Sequence, residues 1–340
     1  MPIKNAQKDP IINNNINVNN NISINNKISI NNNFRVNNDL FRRIKKQKVI
    51  LLFLLPGIVL FTVFSYIPLY GLIGAFQDFN PVKGFFGSPF VGLKNFRILF
   101  ALPDFKMVMR NTVIIGFWTL VFNFPTPIIL ALAFNALLRK KFKRIVQTVS
   151  YIPYFISWVV ASGIWYKLLS SEGVVNSILQ FLRLTDNSVY FFSEASYFLP
   201  LVVLTSVWKG VGFGTIMYLS ALTSINPELY EAADIDGANY MRKIWHISIP
   251  GMQGIIILVF VISLSNLLNV NFEQLWTLQN PQIYAVSEVI DTYIFRILMQ
   301  GSIYDYARGI AVGLIRAIIC LILFFTGNSI SKKLGFGSLV

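Results

Sequence analysis

The stretch SINPELYEAADIDGANYMRKIWHISIPG, residues 224–251, is short and charged, and it lies between two long apolar runs. It carries Glu228, Glu231, Asp234, Asp236, Arg242 and Lys243, with a glycine at its middle and a proline near its end. Asn226 suits a helix N-cap, where a side-chain oxygen accepts from a free backbone N–H. Pro227 suits the first helical position, where a missing N–H costs nothing. Glu228 then sits at the positive end of the helix dipole. Leu229, Tyr230, Ala232 and Ala233 offer an apolar face. Asp236-Gly237 breaks this helix, because glycine tolerates the positive φ of a helix stop. ANYMRKIWHI predicts a second short helix, ended by Pro250. Such a bent pair can lie in a groove on a partner protein, with Ala232 and Ala233 allowing close approach and Glu231 meeting a basic residue. It can equally rest on the bilayer surface. The residues alone leave both readings open.

The surroundings place this loop in a membrane protein. Hydrophobic residues make up 54% of the 340 and charged residues only 13%, where a soluble domain carries about 25%. The mean hydropathy is +0.58. Apolar runs of about 20 residues are expected to span the bilayer. The first is VILLFLLPGIVLFTVFSYIPLYGLIGAF, residues 49–76, and others fall near 112–135, 145–167, 199–222, 251–271 and 308–330. The first run is too long and too far from the start for a cleaved signal peptide. The expected fold is therefore an all-α integral membrane protein with six transmembrane helices.

The net charge of +14 does not indicate nucleic acid, because Lys and Arg cluster beside the apolar runs, where topology and anionic lipid headgroups account for them. FRRIKKQK (41–48), RKKFKR (139–144) and Lys332-Lys333 mark one face, expected to be cytoplasmic, as are both chain termini. Loop 224–250 falls on that face. The first outer loop, 77–111, counts against this assignment, since it holds Lys83, Lys94, Arg97, Lys106 and Arg110. Residues 1–44, rich in asparagine, are expected to form a disordered cytoplasmic tail.

Catalytic and metal chemistry find little support. The single cysteine, Cys320, and single histidine, His246, allow no disulfide and no thiolate or imidazole cluster. The phosphate-loop pattern G-x-x-x-x-G-K-[ST] is missing, so any nucleotide that drives this protein binds another chain. The end of the fifth run is unusually polar, SLSNLLNVNFEQ. On a helix Asn266, Asn269 and Glu273 would share a face, with Ser265 beside Asn269. Carboxamides both donate and accept, which suits sugar hydroxyls, although Ser and Asn also join transmembrane helices. Lys209 and Arg316 are ionisable residues in apolar surroundings, and such groups mark function or pairing. Lys209 could pair with Glu273 or meet an acidic substrate. Asp291 and Arg296, in DTYIFR, could contact a partner protein but are expected rather to order the last outer loop.

EAADIDGANYMRKIWHISIP resembles the cytoplasmic coupling loop of ATP-binding-cassette importer permeases: E-A-A, three residues, G, nine residues, I-x-L-P. Glu231, Ala232, Ala233, Gly237, Ile247 and Pro250 fall in register, and Ile249 stands where leucine is usual. The likeness runs over 45–340, through FPTPIILALAFNALLRKKFKRIVQTVSYIPYF and NFEQLWTLQNP, and is closest in kind to LplB-type oligosaccharide permeases of the maltose-importer class. It implies the type I importer permease fold, with one six-span domain over 45–340. It also implies a heterodimer with a second, homologous permease, a dimeric cytoplasmic ATPase that holds the ATP and magnesium, an extracellular solute-binding protein and an oligosaccharide substrate. No cofactor belongs to this chain. The implied coupling residues are Glu231, Ala232, Ala233, Asp236, Gly237, Ile247 and Pro250. The resemblance also adds Trp208, Gly210 and Phe213 to Ser265, Asn266, Asn269 and Glu273 as substrate-path candidates, in a bacterial cell membrane. Two other classes compete. An ion-driven secondary transporter of sugars often shows inverted repeats, and none is evident here. A membrane enzyme acting on glycans needs paired carboxylates, and the acids here are scattered.

Overall fold

The computed structural model describes residues 47–302 and 305–333. Among them every regular element is helical, apart from one isolated bridge between Gln77 and Phe90. The tail expected at 1–44 lies outside the described residues. The chain divides between Tyr70 and Gly71 into two compact units.

The described part of the first unit opens with α1, Lys48–Phe61, followed by a wide π turn, Thr62–Tyr66. None of the α1 side chains is buried. A helix apolar on every side belongs in lipid.

The second unit holds α2 (Lys94–Ala101), α3 (Pro103–Asn123), α4 (Pro125–Ala136), α5 (Lys140–Phe155), α6 (Trp158–Leu169) and α7 (Val174–Phe181). After these come α8 (Ala195–Thr223), α9 (Pro227–Ile235), α10 (Tyr240–Lys243), α11 (Ile249–Ser265), α12 (Phe272–Leu278), α13 (Ile290–Gln300) and α14 (Asp305–Lys333). Five described runs are long and apolar enough to cross a bilayer: Lys48–Phe76, Pro103–Ala136, Ala195–Thr223, Tyr240–Ser265 and Asp305–Lys333. The broken pair Lys140–Phe155 and Trp158–Phe181 brings the number to six when it is counted as one span.

Three expectations need correction. The third span, expected straight over 145–167, bends by 105°. Ile156 and Ser157 are extended, and the Ser157 hydroxyl accepts from Val160 N at 3.3 Å to start α6 afresh. Hydropathy is blind to such a break, because every residue around it is apolar or small. The second span starts at Pro103 rather than near 112, so Lys106 and Arg110 lie on a helix instead of in a loop. Finally, Pro250 does not end a helix. It sits in the first turn of α11, continuous with α10 through a π turn at Ile244–Ser248. There Ile249 N donates to Ile244 O, five residues back. The wider turn shifts the bonding register just where the proline ring would press on the preceding turn.

Helix α8 is the hub, packed against α3, α4, α5 and α11, while α14 lies on α11 and α13. Lipid tails are as apolar as leucine, so helix association here depends on close packing and polar pairs rather than on burial from water. Both devices are present. A Cβ on Gly212 would collide with the carbonyl oxygen of Ser150, so glycine lets α8 approach α5 backbone to backbone. Gln274 is buried, and its Nε2 donates to Val202 O at 2.7 Å and Thr205 Oγ1 at 2.8 Å, which pins α12 to α8. Around it Phe198, Leu201, Val202, Leu275 and Leu278 form an apolar cluster.

The segment around DTYIFR holds two ion pairs whose partners the sequence did not reveal. Arg296 makes two hydrogen bonds to the buried Glu288, at 2.5 and 3.0 Å, and Asp291 pairs with Arg316 of α14. The bond from Glu288 raises the Arg296 guanidinium pKa above its ordinary value, so that charge is permanent.

Candidate functional site

Two features stand out in the second unit: the charged loop 224–250 and a cavity among the spans. The loop keeps its corner. Asn226 Oδ1 accepts from Glu228 N at 3.1 Å to start α9. At the other end Gly237 adopts φ +72°. Gly237 N donates to Asp234 O at 3.1 Å and Ala238 N to Ala233 O at 2.8 Å, the two bonds of a Schellman closure. Asn239 then caps α10 by accepting from Arg242 N at 2.9 Å.

The two arms are fastened together and to the bundle. Lys243 pairs with Asp234, and the Tyr230 and Ser248 hydroxyls meet at 2.9 Å. The Tyr240 hydroxyl donates to Leu132 O at 3.1 Å, which ties the loop to α4. Glu231, Ala232, Asp236, Gly237 and Pro250 are exposed, while Ala233 and Ile247 are half-buried. Ile235 is 88% exposed and Trp245 63%, so this rigid corner presents an acidic and apolar surface.

The cavity has a volume of about 350 Å³ and lies among α3, α4, α8 and the α11–α12 junction. Of the substrate-path candidates, Gly210, Asn266 and Asn269 line it, and Trp208, Phe213, Ser265 and Glu273 do not. Trp208 meets Trp165 edge to face at 5.5 Å, and Phe213 stacks on Tyr154 at 3.9 Å. Ser265 Oγ donates to Val261 O of its own helix at 2.6 Å. Glu273 is exposed in the first turn of α12.

The single helical face expected for Asn266, Asn269 and Glu273 therefore does not exist. Helix α11 stops at Ser265, with Asn266 as its C-cap, and α12 begins only at Phe272. Asparagine side chains compete for backbone groups, and here they do so in series. Asn266 Nδ2 donates to Ile262 O at 2.9 Å, Asn269 Nδ2 to Asn266 Oδ1 at 2.9 Å, and Asn271 accepts from Gln274 N at 2.9 Å. The break turns Asn266, Asn269 and Asn271 toward one cavity.

Lys209 neither lines the cavity nor forms an ion pair with Glu273 among the described residues. Its ammonium donates to the carbonyls of Pro153 at 3.2 Å, Tyr154 at 2.8 Å, and Ile156. These groups end α5, so Lys209 caps the negative end of that helix at the bend.

A family model described as "Binding-protein-dependent transport system inner membrane component" matches residues 123–335, well over half of the chain. The chain belongs to that family. Like other binding-protein-dependent transport components, it is an ATP-binding-cassette importer permease. It is 37% identical over 291 residues to protein LplB of Bacillus subtilis (strain 168), covering 85% of this chain and 90% of that protein. It is 36% identical over 291 residues to the polygalacturonan/rhamnogalacturonan transport system permease protein YteP of the same organism, covering 85% and 89%. Among solved structures it resembles a bacterial ABC transporter involved in the import of the acidic polysaccharide alginate. The match has a TM-score of 0.79 and 36% identity, over 86% of this chain and 98% of that one. A second structure, of the bacterial alginate transporter in complex with alginate pentasaccharide-bound periplasmic protein, matches with a TM-score of 0.80 and 35% identity, over 88% and 99%.

The loop falls within residues 123–335 of this permease, as does the cavity lining apart from Gly116, Thr119 and Leu120. The cavity also gathers polar residues that the sequence reading did not single out: Thr119, Asn123, Ser206, Ser263, Asn271 and Gln274. Asn123 Nδ2 donates to Ser206 Oγ at 2.6 Å, joining α3 to α8 across 83 positions. The one local signal was a lone asparagine before Phe124-Pro125 in an otherwise apolar run.

Proposed function

We propose that this chain is one half of a heterodimeric translocation path that passes an oligosaccharide into a bacterial cell. An extracellular binding protein delivers the glycan. A dimeric ATPase on the cytoplasmic face holds ATP and magnesium and pushes on loop 224–250, and both chain termini share that face. The observation that carries this reading is the built corner at Gly237. It is hydrogen-bonded to the bundle and presents Glu231, Ile235 and Trp245 outward. A loop fixed to α4 and continuous with α11 transmits a push directly into the spans that border the cavity. The names of the relatives and solved structures, which include polygalacturonan, rhamnogalacturonan and the acidic polysaccharide alginate, support a carbohydrate substrate.

Gentle purification of the tagged protein from its native membrane tests the assembly. The expected result is stoichiometric recovery of an ATPase and of a second permease with its own E-A-A loop. Recovery as a self-contained transporter driven by an ion gradient would overturn the reading.

The sugar path has its own test. Asn269→Ala, and separately Asn266→Leu, are expected to lower uptake about fivefold, the worth of roughly one hydrogen bond, with the ATPase still bound. Unchanged uptake kinetics across several sugars would remove these two residues from the path.

A further inference from the structure

The cavity has a chemical character that fold and family leave open. Its polar lining consists of carboxamides and hydroxyls: Asn123, Asn266, Asn269, Asn271, Gln274 and Ser206 among them. None of the lining residues is Lys, Arg, His, Asp or Glu. Lys209, Arg316 and Arg296 are each committed elsewhere. Lys209 follows Trp208 and precedes the lining residue Gly210, yet its ammonium is turned to the carbonyls of Pro153, Tyr154 and Ile156. Arg316 is paired with Asp291, and Arg296 with Glu288. A carboxylate entering this space would lose water and meet no counter-ion among the described residues that line it. Such a group is costly to bury unless it is paired. A neutral pyranose loses only hydroxyl hydration, and carboxamides replace both its donors and its acceptors.

Accepting the carbohydrate reading above, we infer that the wall contributed by this chain selects uncharged sugar units and discriminates against uronic acids, with the Asn123–Ser206 pair and the Asn266–Asn269–Asn271 series as its specificity determinants. The relatives' names do not decide this point, since they include polymers rich in acidic sugars as well as arabinooligosaccharides.

The test is direct binding to the purified permease–ATPase complex without its binding protein, so that the binding protein's own preference cannot intervene. Neutral trisaccharides (maltotriose, xylotriose, cellotriose) are compared with trigalacturonate and trimannuronate by titration calorimetry or tryptophan fluorescence. Uronates are expected to bind at least about tenfold more weakly than the best neutral ligand, because their carboxylates stay unpaired. Ser206→Lys is expected to narrow or reverse that gap. Uronates that bind the unaltered complex as tightly as neutral sugars overturn the inference and leave the carbohydrate reading standing. A Ser206→Lys complex that keeps the original ratio also overturns it, by showing that the sugar does not touch this wall. If no sugar of either class binds, the carbohydrate reading fails, and this inference fails with it.

Discussion

Gly237→Val is expected to abolish uptake while the protein still reaches the membrane in normal amount. The argument is local. Gly237 adopts φ +72°, and an added Cβ would meet no atom within 4 Å. Space is therefore not the obstacle; the backbone is. A left-handed conformation costs an ordinary L-residue about 1–2 kcal/mol, and a β-branched one more. The corner can shed that strain only by opening the Schellman bonds from Gly237 N and Ala238 N, which frays α9 beside Ala232 and Ala233. The transmembrane packing lies elsewhere and is untouched. ATP-driven uptake in proteoliposomes should fall to background, with ATP hydrolysis no longer linked to transport and membrane levels on immunoblots unchanged. Glu231→Lys, which reverses a charge on the exposed face of α9, should give the same phenotype without any backbone strain. Gly237→Asn is the control, since asparagine tolerates this conformation, and it should retain most activity. If the valine protein transports normally, the loop is not a mechanical joint.

The second large effect concerns stability. Lys209→Met keeps the length and apolar stem of the side chain but removes its charge and all three donors. Pro153 O would still accept from Ile156 N at 3.3 Å, whereas Tyr154 O and Ile156 O would lose the ammonium that satisfies them. Two part-buried carbonyls left unpaired cost up to about 1–3 kcal/mol each. Contacts of the ammonium with the Trp158 ring at 5.4 Å and the Tyr154 ring at 5.7 Å are lost as well. The melting temperature of the detergent-solubilised protein should fall by about 5–10 °C. Lys209→Arg should lie between the two, because a planar fork reaches three converging carbonyls less well than a compact ammonium. A methionine variant that melts with the unaltered protein would show that the bend at Ile156 does not depend on this lysine.

Some of this was legible from local pattern alone. The N-cap at Asn226, the glycine stop at Gly237 and the apolar runs each depend on neighbours a few residues apart, and the structure reproduces them. Local reasoning failed where a local choice had two outcomes of similar energy. Pro250 ends many helices, but a π turn let this one continue. SLSNLLNVNFEQ reads well as a helix face, but Asn266 and Asn271 captured backbone groups, Asn269 bonded the Asn266 side chain, and the helix broke. Lys209 was correctly marked as unusual, yet its partner was sought in a carboxylate when it lay in three carbonyls.

What the sequence determined by itself was the class of molecule, its long apolar runs and the position of the charged corner, because hydropathy, capping and positive φ are properties of contiguous residues. Tertiary structure alone decided the bend in the third span and the cavity with its uncharged lining. Those arise from groups brought together across the chain, Lys209 with Ile156 and Asn123 with Ser206. In a bilayer no water is at hand to satisfy such groups, so the fold itself must supply each one with a partner.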